Sequence, residues 1–300
     1  MYGYLPIFSI DIPSSKLAPL VNSFLNAGTI NLESILSTFA SNLTVSSGTL
    51  NNSGFINVNT GTGGLRTISA ELANLGLGAV NVEKSVSLGR ALANHTNAGT
   101  FTLIDPSAIA TITGTSFSNL VGGTMAGVGE VDVNAVNFTS GGTIAPGLSA
   151  GELTFDGDVD LFGTSVLDIE IGGIIQGIEY DFLNITGDLF LNGNLNLTLI
   201  NGATTFLPSD AFTVVSSDAL TGVFGNVLNG ARLVTSGGLG SFQVNYGIGS
   251  IFNPDDIVLS DFQVEADPIP EPATWFLFAI GIVGLLWSGQ RRRLKLNPGQ

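Results

Sequence analysis

NAGTINL at 26–32 returns as NSGFINV at 52–58 and NAGTFTL at 97–103, and SGGTI at 140–144 is a reduced fourth copy. In each, a small polar turn containing glycine leads into a short strand with apolar residues at alternate positions, such as Ile30 and Leu32 or Phe101 and Leu103. The copies start 26, 45 and 43 residues apart, which corresponds to one, two and two units of roughly two dozen residues. A recurring unit that cannot bury its own apolar face points to a solenoid, in which stacked coils share one core. Helical stretches are expected at Ser15–Leu25 and Leu32–Phe39.

The alternation continues outward. Leu189, Leu191, Leu195, Leu197 and Leu199 alternate with polar residues around Gly193-Asn194, a hairpin or coil turn. Leu167, Ile169 and Ile171 interleave with Val166, Asp168 and Glu170. Over 206–263, Phe212, Val214, Val215, Phe224, Phe242, Val244, Tyr246, Ile257, Val258 and Leu259 are core candidates. The expected fold is all-β: a parallel β-helix continuing into a β-rich C-terminal cap.

Residues 115–172, from TSFSNLVGGTMAGVGEVDVNAV to VLDIEIG, resemble the end of a parallel β-helix in large secreted adhesins and autotransporter passengers. The resemblance carries on through Tyr180-Asp181, Ile185-Thr186-Gly187, LFLNGNLNLTLING at 189–202 and AFTVVSSDALTGVFGNV at 211–227. It implies a surface protein with a stacked-coil body.

Composition narrows the function. Only 11% of the 300 residues are charged, 44% are hydrophobic and 40 are glycine. That excludes ordinary disorder, which needs high net charge and few apolar groups. Four of the nine basic residues, Arg291, Arg292, Arg293 and Lys295, lie in the last ten positions. The preceding chain holds five basic against 24 acidic residues, a net −19. Such a body repels nucleic acid, whose protein affinity comes largely from Lys and Arg on phosphates. No cysteine is present, so thiol catalysis, disulfides and Cys-ligated zinc are excluded.

Catalytic signals are sparse. His95 is the sole histidine, no nucleophile-elbow motif accompanies it, and a solvated loop position is expected. Asp156, Asp158 and Asp160 place three carboxylates at alternate positions, a spacing that could serve Ca²⁺. Leu161 and Leu167 stand where an EF-hand loop needs glycine and glutamate, so the wet face of a strand is the expected reading. Paired acids could cleave glycosides. Against this, Lys16, Arg66, Lys84, Arg90 and Arg232 are the whole supply of substrate-gripping cations before the tail. Gly122-Gly123 and Gly237-Gly238 lack the following Lys-Ser/Thr of a phosphate loop. The expectation is a non-enzymatic protein without cofactor or metal.

The C-terminus is the most informative segment. WFLFAIGIVGLLW at 275–287 has no charge, and with flanking small residues it forms an apolar span over 273–289. At ~1.5 Å per residue its helix is about 25 Å long, at the short limit for a bilayer core of ~30 Å. Trp275 and Trp287 mark its ends at headgroup level, and the basic cluster 291–295 stays cytoplasmic, so the body lies outside. A buried core helix is the competing reading. The terminal position, basic flank and paired tryptophans outweigh it. Ahead stands Ile269-Pro270-Glu271-Pro272-Ala273-Thr274, extended because its two prolines can neither continue a helix nor join a central strand.

Motif, short apolar helix and arginine cluster together resemble the PEP-CTERM sorting signal of Gram-negative bacteria. The resemblance implies that Pro270, Glu271 and Pro272 are recognised by an exosortase, a membrane cysteine protease-transferase. It also implies a secretory leader. Met1–Leu20 lacks a basic start and a long apolar core, so a late start or a fragment is expected.

The expected organisation is an N-terminal segment 1–25, solenoid repeats 26–150, a β-rich region 151–265 and the sorting tail 266–300. The expected function is an exported structural or adhesin-like protein of the cell surface or extracellular matrix. It would sit transiently in the inner membrane and contact exopolysaccharide. Two alternatives stand beside it. One is a carbohydrate-binding or glycan-processing β-helix protein, and the other is a permanently membrane-anchored form.

Overall fold

The computed structural model describes residues 9–13, 22–34 and 39–264. Nine strands form one sheet in strict chain order: Ser9–Pro13, Thr29–Glu33, Phe55–Val58, Ala79–Val82, Thr100–Leu103, Thr124–Gly127, Thr143–Pro146, Val166–Ile171 and Asn194–Leu199. Every neighbouring pair is parallel. Between successive strands of this sheet the chain crosses a second sheet. Long bent strands such as Ser41–Asn52, Arg66–Asn74, Ile109–Asn119 and Gly129–Ser140 there pair in parallel with the coil before and after. The result is a right-through stack of coils, the expected β-solenoid. The coils run without interruption through residue 150 to Ala219–Gly222.

Alternation decides which way side chains point. Ile30, Leu32, Ile56, Val58, Val80, Val82, Phe101 and Leu103 are all buried, and the residues between them face outward. Inside, aromatic residues stack along the axis. His95, Phe117, Phe138 and Phe155 follow at ring separations of 6.2, 5.7 and 4.8 Å, the first two contacts edge to face.

The corner leading into the first sheet carries a buried polar row. The Nδ2 of Asn26 donates to Oδ1 of Asn52, Asn52 to Asn74, Asn74 to Asn97 and Asn97 to Asn119, each at 2.7–2.8 Å, and Asn119 to Oγ of Ser140 at 3.1 Å. The second proton of each amide reaches a backbone carbonyl of the following coil, as Asn74 does to Thr100 at 3.0 Å. Asn26, Asn52 and Asn97 are the leading residues of the repeated phrase, and Asn74 and Asn119 hold the same corner in the coils between. The corner between asparagine and strand is either two residues long, as between Asn97 and Thr100, or four, as between Asn74 and Ala79 and between Asn119 and Thr124.

Glycine is compulsory at position 127. Gly127 has φ +104°, and a Cβ there would land on the Leu103 carbonyl of the coil below.

The C-terminal end closes with antiparallel pairing. Ala211–Ser216 pairs with Asp256–Val264, which pairs with Gly240–Asn245, which pairs with Arg232–Val234. Phe206, Phe212, Phe242 and Phe262 meet there at 4.8–5.9 Å. The open edge of the last strand of the first sheet is covered from the cap. Asn226 bonds both backbone groups of Leu195 through its side-chain amide, at 3.0 and 2.8 Å, and the Ser236 amide donates to Leu197 O at 2.7 Å. All ten core candidates of the 206–263 region are buried.

The helix expectation needs correction, and the choice left open at Gly193-Asn194 is decided. No helix occurs among the described residues; Phe24–Asn26 and Thr29–Glu33 are strands, because alternation and pairing with the next coil outweigh local propensity. The remainder of both expected helical stretches, 15–21 and 35–38, lies outside the described residues, as does the apolar span 273–289. Among the described residues no helix is long and apolar enough to cross a membrane. Gly193-Asn194 is a coil turn and not a hairpin, since the strands it joins pair with different neighbours.

Removing one amide from the buried row strands its partners on both sides. Asn74→Ala is expected to lower the unfolding free energy by about 3 kcal/mol or more. Asn57→Ala, in the half-exposed outer row where Asn81 and Asn57 each donate at 2.9 Å, should cost about 1 kcal/mol or less. Equal losses in denaturant titrations would refute a special role for the inner row.

Candidate functional site

The three aspartates expected to share a strand face are separated by a corner. Asp156 ends Glu152–Asp156, Asp160 lies in Val159–Leu161, and Gly157 between them has φ +126°. Two of the carboxylates serve the next coil: Asp156 Oδ1 accepts from Thr186 Oγ1 at 2.6 Å, and Asp158 Oδ1 from the Asp188 amide at 2.9 Å. Among the described residues no group of three His, Cys, Asp or Glu side chains could hold a metal ion.

His95 is not a solvated loop residue. It sits in the strand Asn94–Asn97 with 0% exposure, at one end of the aromatic stack. Its Nδ1 accepts from the Leu72 amide at 3.1 Å, and its Nε2 lies 3.0 Å from Thr113 O. A carbonyl demands a proton on Nε2 and an amide N–H forbids one on Nδ1, so the ring is neutral in the Nε2–H form. Burial holds its pKa below the usual histidine value despite the Thr113 carbonyl and nearby Glu71. Its two bonds tie neighbouring coils together and leave no nitrogen for catalysis.

Arg66 is likewise structural. Fully buried, it donates to the carbonyls of Asn59, Gly63 and Gly64, so the loop before it folds around the guanidinium.

A concave feature lies on the outer face of the first sheet. One outward row runs Asn31, Asn57, Asn81, Thr102, Ala126, Ala145. The two alanines sink the surface, and in the next strand the face becomes acidic with Asp168 and Glu170. Together with Pro146, Gly147, Leu148, Ser149 and Asp181, these residues line a cleft of about 380 Å³. Asp168 Oδ1 accepts from Asn196 Nδ2 at 2.6 Å. The Glu170 carboxylate has no hydrogen-bond partner among the described residues, and burial with neighbouring Asp168 raises its pKa.

Asp181, 1% exposed, clamps two chain segments. Its carboxylate accepts from the Gly151 amide at 2.9 Å and the Glu170 amide at 2.7 Å. Burial pushes its pKa up to about 8 against the pull of those two bonds, and Glu170 and Asp168 add to the rise. Alternation by itself makes Asp168 and Glu170 a solvated face and places Asp181 only inside the phrase Tyr180-Asp181. Recognising the cleft requires the register that aligns Ala126 with Ala145.

The residues of the sorting signal, Pro270, Glu271, Pro272, Trp275, Trp287, Arg291, Arg292, Arg293 and Lys295, lie outside the described residues. In comparison with known families, residues 268–293 match the PEP-CTERM protein-sorting motif, a span that includes these positions except Lys295. Such a signal implies export, processing by an exosortase, and a cell-surface or extracellular location. No curated protein matches the chain.

Two pH-dependent outcomes follow. The His95 ring should show no titration near pH 6.5 in NMR spectra of the folded protein, and a normal transition there would contradict the buried neutral form. The folded pKa of Asp181, about 8, lies above its unfolded value of ~3.9, so its stabilising contribution is full below pH ~4 and is lost as pH rises through 8. The stability difference between the native chain and Asp181→Asn, followed by denaturant titration, should shrink by a few kcal/mol across that window.

Proposed function

We propose that the chain is a structural or adhesin-like protein of the bacterial surface, delivered by its sorting tail and released into or held within the extracellular polysaccharide matrix. The observation that carries this reading is the pairing of a PEP-CTERM motif at 268–293 with a β-solenoid body. In this reading the apolar span 273–289 crosses the inner membrane transiently, Trp275 and Trp287 mark its boundaries, and Arg291, Arg292, Arg293 and Lys295 hold the tail inside. In the same reading the exosortase recognises Pro270-Glu271-Pro272.

The body suits a passive, durable role. The buried His95 has both ring nitrogens engaged. Arg232 with Asp261, at 2.8 Å, is the one ion pair among the described residues. Stability rests on buried apolar rows and amide ladders, which neither demand a ligand nor respond strongly to salt.

Intact mass of the protein in cell and medium fractions of its native host tests the reading. A form ending near Pro270-Glu271-Pro272 in the medium or outer envelope is expected. Full-length protein confined to membranes would make 275–287 a lasting anchor and overturn release into the matrix.

A further inference from the structure

We propose that the cleft bounded by Ala126, Ala145, Leu148, Asp168 and Glu170 binds an organic ammonium ion of about monosaccharide size, such as the free amine of an amino sugar. The proposal is independent of the sorting tail and of whether the body is adhesive.

Four features converge on that chemistry. First, the space is sufficient: about 380 Å³ lies at the lower end of the ~300–1,000 Å³ typical of ligand pockets. It exists because small side chains occupy two successive positions in a row that elsewhere carries Asn or Thr. Second, the lining is divided. Ala126, Ala145, Pro146 and Leu148 offer an apolar surface for carbon, while Asp168, Glu170 and Asp181 gather at one end.

Third, the acidic end has unused capacity. Asp168 spends one oxygen on Asn196, and the Glu170 carboxylate faces the cleft without a partner among the described residues. An ammonium carries three donors and no acceptor, which matches a set made only of acceptors. Asp181 is already committed to two backbone amides, so it shapes the site and does not contact the ligand directly. Fourth, no Lys or Arg lines the cleft to neutralise the carboxylates. A bare metal ion would leave the apolar wall unused and find too few converging oxygens.

The test uses the full-length chain near pH 6.5, where an amino-sugar amine is charged. Amide NMR signals are followed during titration with D-glucosamine, N-acetyl-D-glucosamine or CaCl₂. Glucosamine should shift the signals of Ala126, Ala145 and Gly151, and its neutral N-acetyl analogue should not. Glu170→Gln and Asp168→Asn should each weaken glucosamine binding about tenfold or more. Ala145→Thr, which fills the floor with a residue the same row already tolerates at Thr102, should abolish it. Unchanged thermal unfolding of each variant confirms that the coil stack survives.

Equal shifts with the N-acetyl sugar would show recognition of sugar shape and overturn the cation reading. Shifts with CaCl₂ alone would make the acidic end a metal site. No shift by glucosamine up to tens of millimolar would remove the site altogether.

Discussion

The structure depends on every buried amide finding its partner in the next coil. A coil of about two dozen residues has no core of its own, and its polar corner would be costly to bury alone. The row from Asn26 to Ser140 removes that cost by passing hydrogen bonds along the axis, one proton to the next amide and one to the next backbone carbonyl. Leucine in its place would leave carbonyls unpaired, and serine reaches only where the row ends. Aromatic stacking, outer asparagines and strand pairing all inherit the alignment this row imposes.

Much of this was legible in the sequence, for a physical reason. Alternation with period two survives any change in corner length, so the core positions from Ile30 to Leu259 could be read directly. The glycine turn survives less well. Units beginning at Asn74 and Asn119 escaped recognition because their corners hold two extra residues, Leu75-Gly76-Leu77-Gly78 and Leu120-Val121-Gly122-Gly123 before the strand. What is repeated is the asparagine and the strand, and the distance between them floats. The expected helices failed because windows near the N-terminus were read without the pairing partner that makes Thr29–Glu33 a strand.

Sites were harder to read than the fold. His95 looks solvent-bound among Ala93, Asn94 and Thr96, yet register with Leu72 and Phe117 puts it in the core. The acidic cleft is assembled from strands and loops up to 55 residues apart in sequence, Ala126 to Asp181, and neither alanine signals anything by itself. The sorting signal is the opposite case: its motif, apolar span and basic cluster are contiguous, so sequence alone exposes it.

The antiparallel cap has a consequence for the order in which the molecule can be made. Strand pairing between coils joins residues only 19–32 positions apart, so coils can be added one after another as the chain emerges. The cap instead joins Ala211–Ser216 to Asp256–Val264 and needs the last strand before it can form. Until then the growing end is a bare strand edge, a template on which a second emerging chain could anneal. Closure is therefore a timed event, and the interval before it is when this protein is most exposed to misassembly.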